Sequence, residues 1–409
     1  MASHNTHSVD NFTTKWNKNT EYAFGLQRKI ISFLGYWPKN EFNKSSKIKI
    51  GILNITQMFI VIFFIKNLIV SGNCGSGEEL VDALTFILVS LLAILKNSLP
   101  WFQKIFYTDI LNFLIDDWFY FYNISNKSHD IMLKYAKIGR IVLLIQVLGT
   151  YGAMIPVIMR YPSTIQVLNE YNNDTILARN FPLGPPCWIS MTMSWNLYIG
   201  FYVIFYIDLC ILVTSFVASD VFLFTIAMHI CGQFQILYNS MDNINNYKNY
   251  QQQRFIVKNF VIRHNQLLIM LKNFEKICNK IIFCEVMGNT FLICISGFIV
   301  LQSFDFSQNK LEFGLVVRMF ILFLQLFLYS YAGENLTNRA KNLQSVIYNS
   351  SWDDLSPKII KDMTFIILHT QYEFYLTAGK MQNMNLSNFK NIVKSIFSYL
   401  SVLRLMFQK

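Results

Sequence analysis

Seven stretches of this chain are apolar for about twenty residues or more, and nothing else in the sequence limits the fold as strongly. A helix of about twenty mostly apolar residues is what crosses the hydrocarbon core of a bilayer. The stretches are Ile48–Val70, Leu80–Phe102, Tyr135–Met159, Leu197–Ala227, Ile282–Leu301, Leu311–Tyr331 and Phe389–Phe407. They predict an all-α membrane protein with seven transmembrane helices. The fourth run is interrupted by Asp208 and Asp220 and continues through His229 and Cys231 towards Leu237. A single helix of about 40 residues would be about 60 Å long, twice the hydrocarbon thickness, so it is expected to project well beyond the membrane.

Charge placement orients the runs. Only 14% of the residues are charged against 53% hydrophobic, whereas a soluble domain carries about 25% charged residues. The net charge of +11 is concentrated between runs. Lys15, Lys18, Arg28, Lys29, Lys39, Lys44, Lys47 and Lys49 precede the first, and Lys248, Arg254, Lys258, Arg263, Lys272, Lys276 and Lys280 follow the fourth. The connections after the first, third and fifth carry only Lys66, the pair Arg160 and Arg179, and Lys310. The excess of basic residues on the cytoplasmic side places the N-terminus in the cytoplasm and, with seven crossings, the C-terminus outside. That is the reverse of a G-protein-coupled receptor. The basic balance is thus topological and implies no nucleic-acid partner. The polar, basic first 30 residues predict no cleaved signal peptide. No zinc-type Cys–His spacing or Gly-rich phosphate loop is present, so no metal or cofactor is expected. Nothing reads as a nucleophile–base arrangement, and no enzyme is expected.

The connections carry further expectations. Tyr161–Ser194, rich in Pro and holding the sequon Asn173-Asp174-Thr175, is expected as an extracellular loop. Cys74 and Cys187 would face the outside, either paired or as free thiols, with Cys210, Cys231, Cys278, Cys284 and Cys294 reduced. Leu336, Ala340, Leu343 and Ile347 recur at helical spacing and predict an amphipathic continuation of the sixth helix. A further helix is expected over Ile359–Tyr375. Asp208 and Arg318 lie at bilayer depth, where a charge costs about 2.5–3.5 kcal/mol; each needs a partner, and the two together are one hypothesis. His229 and His264 read as packing contacts rather than catalytic bases.

On the terminal run, Ser395, Ser398, Val402 and Leu405 share one helical face, with Lys409 next along it. Small polar groups there suit either a wet surface or close helix packing.

Several motifs resemble the insect odorant receptor family. They are Leu34-Gly35-Tyr36-Trp37-Pro38, the run Asp208 to His229 leading to Gln233-Phe234, Arg263-His264-Asn265 and Gly333-Glu334. The tail adds Tyr348, Trp352, Leu376-Thr377-Ala378-Gly379-Lys380, Ser398-Tyr399 and Leu403-Arg404. In this order they cover nearly the whole chain. The resemblance implies a ligand-tuned subunit of an odorant-gated, non-selective cation channel. Such a subunit would sit in the plasma membrane of olfactory sensory neurons and form a heterotetramer with a shared coreceptor. The four seventh helices would line the pore, and the cytoplasmic parts of the fourth to seventh would anchor the assembly.

On that resemblance the chain divides into a cytoplasmic segment (1–47), transmembrane helices one to six with the ligand-binding bundle (48–335), a cytoplasmic anchor (336–384) and the pore helix (385–409). Val402 falls at the family's apolar gate, of a kind that closes by dewetting; Leu405 falls where the coreceptor has Gln. Phe86, Ser90, Tyr151, Met154, Tyr202, Phe205, Tyr206, Met319 and Phe323 lie in the outer half of the bundle. An aromatic and thioether lining with a few hydroxyls suits small volatile odorants, although the same residues also serve helix packing. A gustatory receptor would share this architecture, but its usual Thr-Tyr…Gln-Phe ending differs from the one here. A secondary transporter is disfavoured by the missing internal repeat.

Overall fold

The protein is described by a computed structural model over residues 15–37, 44–71, 77–120, 126–168, 175–189, 191–241, 244, 249–305, 313–350, 352, 355–369 and 373–407. Eleven α-helices are present among the described residues: α1 (Lys18–Leu34), α2 (Lys44–Val70), α3 (Gly77–Phe102), α4 (Lys104–Tyr120), α5 (Asn126–Ile158), α6 (Trp195–Met241), α7 (Tyr250–Asp305), α8 (Phe313–Lys341), α9 (Leu343–Asn349), α10 (Pro357–His369) and α11 (Leu386–Phe407). Each of the seven apolar runs lies essentially within one of them. Five (α2, α5, α6, α7 and α8) are long and apolar enough to cross a membrane by length and composition. The helices of the second and seventh runs, α3 and α11, are not in that set; α11 carries Lys390, Lys394 and Arg404.

The outer surface is apolar where a soluble protein would be polar. On α2, Ile52, Ile55, Phe59 and Ile62 are exposed, while Gln57 is buried and donates to the Asp208 carboxylate at 2.7 Å. Apolar residues outside and a hydrogen-bonding amide turned inside are what a hydrocarbon solvent selects.

Two helices are far longer than a bilayer. α6 has 47 residues and α7 has 56, about 70 and 84 Å at 1.5 Å per residue. The single long helix expected of the fourth run is therefore observed. The fifth run is likewise the far part of one continuous helix that begins at Tyr250. Every residue of α6 from Ser215 to Phe234 is buried, wrapped by α1, α5, α8 and the near part of α7.

α1 is set by its ends. Asn17 caps it, accepting from the Thr20 amide at 2.8 Å, and Gly35 stops it with φ of 90°, a left-handed turn that glycine adopts without a Cβ penalty. The turn drives Tyr36 and Trp37 into the core, where Trp37 lies 5.7 Å from Phe222.

The segment expected as a loop, Tyr161–Ser194, holds an antiparallel hairpin, β1 (Thr164–Leu168) with β2 (Thr175–Arg179), and a short 3-10 turn at Pro186–Trp188. Phe181, Leu183, Trp188 and Ile189 from it are buried against α2, α3 and α6. This end of the bundle is called the hairpin end below. Cys74 and the side chain of Cys187 fall outside the described residues; Cys210, Cys231, Cys278, Cys284 and Cys294 are free thiols.

At the opposite end α8 continues to Lys341, and Leu336, Ala340, Leu343 and Ile347 are all buried, as their spacing predicts. α10 stops at His369, short of the expected Tyr375. The chain then forms a small hairpin, β3 (Thr377–Ala378) with β4 (Gln382–Asn383), before α11.

Candidate functional site

Asp82, near the start of α3, stands where α3, α5 and α8 end together at the hairpin end. One of its carboxylate oxygens accepts from Arg318 of α8 at 2.8 Å, and the other lies 3.5 Å from Arg160, just past α5. Asp82 is buried and the two arginine side chains are partly exposed. The pairing expected between Arg318 and Asp208 is not the one that forms. Asp208 is served by Gln57 instead, because it lies on the α6 face towards α2, whereas Arg318 faces α3.

Below this cluster is a cavity of about 130 Å³ between α3, α5, α6 and α8. Asp82 and Arg318 form part of its wall; Phe86, Met154, Leu212 and Phe216 are among its apolar residues. Thr85 lines it too, 8% exposed, with a hydroxyl that has no hydrogen-bond partner in the protein.

Of the nine residues singled out in the sequence, Phe86 and Met154 line this cavity. Tyr202 and Phe205 are buried beside it in an aromatic cluster, where Phe64 stacks on Phe86 at 4.7 Å and Phe86 meets Phe205 in a tilted contact at 5.3 Å. The Tyr202 and Tyr206 hydroxyls donate to backbone carbonyls at the end of α5, Tyr202 to Arg160 at 3.2 Å and Tyr206 to Val157 at 3.0 Å. They fasten the end of α5, leaving their apolar edges to pack. Tyr151 lines a second cavity of about 150 Å³ between α1, α5 and α6, its hydroxyl 2.6 Å from Thr214. Ser90 is buried, and its hydroxyl also lacks a protein partner. Met319 and Phe323 pack against the main core, while their neighbours Arg318, Ile321 and Leu322 face the cavity. Met319 and Phe323 are thus on the same helix as this cavity's lining but not part of it. Asp82 and Thr85 were missed; a carboxylate inside an apolar run, one turn from a hydroxyl, is the signal that marks them.

A second ionic cluster lies deeper. Lys96 of α3, 1% exposed, holds Asp220 of α6 at 2.9 Å and Glu285 of α7. Tyr329 donates to Asp220 at 2.6 Å, Gln325 also donates to it, and Asn289 bridges Gln325 and Glu285. Four helices are thereby tied by hydrogen bonds to charges. At the far end Asp117 of α4 accepts from Arg263 and contacts His229 at 3.0 Å, so His229 is a structural contact. The His264 ring lies between Phe234 and Phe260, and burial there pushes its pKa down to about 4.

The terminal helix is clamped at its start and half-covered along its length. Gly333 lets the backbone of Met384 lie directly on α8, since a Cβ there would collide with the Met384 carbonyl. Glu334 accepts from the Leu386 amide at 3.4 Å, and Asn385 caps the helix through the Asn388 amide at 2.7 Å. The Gly379 turn seats against α7, where Thr377 donates to Glu275 at 2.6 Å. Ile392, Ile396 and Leu400 then pack onto α7 and α8. The opposite stripe, Ser395, Ser398, Val402 (52% exposed) and Leu405 (73%), is uncovered. Lys409 lies outside the described residues.

Residues 76–397 match a family model described as 7tm odorant receptor. The chain is 24% identical over 143 residues to odorant receptor 83a of Drosophila melanogaster, covering 35% of this chain and 32% of that one. To odorant receptor 13a of the same species it is 25% identical over 228 residues, covering 52% and 54%. To odorant receptor 10 of Aedes albopictus it is 22% identical over 164 residues, covering 40% and 42%. The matched stretches thus span a third to about half of these relatives. The fold is similar to that of the insect olfactory receptor OR5 from Machilis hrabei in complex with eugenol, with a TM-score of 0.67 at 13% identity, covering 94% of this chain and 100% of that one.

Proposed function

The chain belongs to the insect odorant receptor family, whose members are ligand-gated cation channels, and on that premise we propose that it is a ligand-tuned subunit that opens a cation pore together with a coreceptor. The observation that carries this reading is the half-covered terminal helix. Its apolar face is buried on α7 and α8, while Ser395, Ser398, Val402 and Leu405 form an open stripe that no part of the described chain covers. Four such stripes around an axis would make a pore with hydroxyls along its wider part and an apolar collar at Val402 and Leu405.

Seven crossings, with the N-terminus in the cytoplasm, agree with the basic residues at the α1 end and with their scarcity at the hairpin end. Residues 1–47 and 336–384 then lie in the cytoplasm, the latter with the lower parts of α6 and α7 as the anchor between subunits. The last segment, 385–409, is the pore helix, and 48–335 holds the ligand bundle. The cavity beside Phe86 and Met154 is the site for small volatile odorants, and the aromatic cluster of Tyr202 and Phe205 is its wall. The plasma membrane of olfactory sensory neurons is the place where such a channel acts.

The test is to record currents from oocytes expressing the chain with and without the coreceptor, across a broad odorant panel. Odorant-evoked cation currents on co-expression only are expected; a response that needs a G protein, or ligand uptake without current, would overturn the reading. Val402→Ala is expected to change basal current or ion selectivity, and unaltered permeation would remove the terminal helix from the pore.

A further inference from the structure

We propose that the cavity selects neutral ligands with a carbonyl acceptor at one end and an apolar body of about benzene size, and that Thr85 and Arg318 are the residues that read the acceptor. This inference rests on the cavity being the odorant site and adds the class of odorant.

Size is the first constraint. An engineered apolar cavity of about 150 Å³ in another protein accommodates benzene. The 130 Å³ here therefore suits a ligand of about six to eight non-hydrogen atoms.

Polarity is the second constraint. Most of the wall is aliphatic and aromatic; its polar residues are Thr150 on α5, whose hydroxyl donates to the Gln146 carbonyl, and Asp82, Thr85 and Arg318 towards the hairpin end. Two arginines and one aspartate meet there, a net of one positive charge (+2 − 1). Both oxygens of Asp82 are engaged by guanidinium groups, so its capacity to accept from a ligand is largely used. A guanidinium carries five N–H donors and no acceptor, and one nitrogen of Arg318 accounts for its bond to Asp82.

Thr85 supplies the independent observation. Its hydroxyl is buried on the cavity wall one turn from Asp82 and has no partner in the protein. A buried hydroxyl left unpaired is costly, and a bound acceptor relieves that cost. Donors thus exceed acceptors at the polar end. A ketone, aldehyde or ester satisfies them. A protonated amine meets net positive charge and must compete with two arginines for Asp82, and a hydrocarbon leaves the hydroxyl orphaned.

The experiment uses the full-length chain co-expressed with the coreceptor and a size-matched series: hexan-2-one, hexan-2-ol, hexan-2-amine and 2-methylhexane. The ketone is expected to act at the lowest half-maximal concentration, with the amine at least tenfold weaker. Thr85→Val keeps the side-chain shape, so it should fold and reach the surface. It is expected to weaken the ketone about fivefold, one hydrogen bond's worth, while leaving 2-methylhexane unchanged or improved. Arg318→Lys, which keeps the charge but loses the fork of donors, should act in the same direction.

Equal potency of ketone and hydrocarbon in the wild type overturns the proposal. So does an equal loss for both in Thr85→Val, and so do currents evoked by other odorants but by none of the four. A surface-expressed channel that answers no odorant at all overturns the receptor reading instead, so the two failures are told apart.

Discussion

Two of the ionic clusters described above hold similar groups in opposite conditions. Lys96, Asp220 and Glu285 are sealed between α3, α6 and α7, with Tyr329 and Gln325 donating to Asp220 and Asn289 donating to Gln325 and Glu285. Asp82, Arg318 and Arg160 meet at the hairpin end against a cavity, and the arginine side chains stay 21–29% exposed. The same contrast runs along α6. Near the hairpin it buries one face (Tyr198, Tyr202, Phe205, Leu209, Leu212) and exposes Val203, Ile204 and Ile207; from Ser215 to Phe234 it is buried all round. Along α6, the stretch around Asp220 is enclosed on every side, and the stretch near the hairpin keeps a cavity beside it.

Removing a charge from each cluster separates the two conditions. Lys96→Met strands two carboxylates in a sealed site, for which about 3–5 kcal/mol of destabilisation is expected; surface protein measured by labelling should be largely lost. Asp82→Asn leaves two arginines that still reach the cavity and the surface, so about 1.5–3 kcal/mol is expected, with most surface protein retained and ligand potency altered. Equal losses in the two variants would mean that the hairpin end is sealed as well.

Tyr206→Phe sharpens the comparison further. It removes a hydroxyl that fastens the end of α5 to α6, at a cost of about 1 kcal/mol, read as a small drop in Tm of purified protein. His264 supplies a test by pH. Its folded pKa lies below the ordinary value of 6.5, so its contribution to stability is complete above about 6.5 and is lost as the pH falls towards 4. Tm should fall between pH 7 and pH 5, and by less in His264→Asn; an identical fall in both would show that the ring is not protonated on unfolding.

What the sequence made legible follows from the range over which each interaction acts. The helices were legible because an apolar run in lipid has few options other than a helix. The short motifs also carried local meaning: Gly35 and Gly379 turn the chain, and Gly333 and Glu334 seat the start of α11. The partner of Arg318 was not legible, since Asp82 lies 236 positions away and only the bundle brings them together. Nor was the face of α8, where Met319 and Phe323 look more ligand-like than Ile321 and Leu322, yet rotation about the helix axis turns the latter pair to the cavity. A hydroxyl such as Thr85 stands out only once its neighbours are known to leave it unpaired.

α8 begins beside the cavity with Arg318 and reaches the clamp at Gly333 and Glu334 about 24 Å further on, sixteen residues of unbroken helix. No loop or hinge intervenes, so the helix behaves as a connecting rod. A tilt imposed at its cavity end would reach the root of the terminal helix with no break in α8 to absorb it.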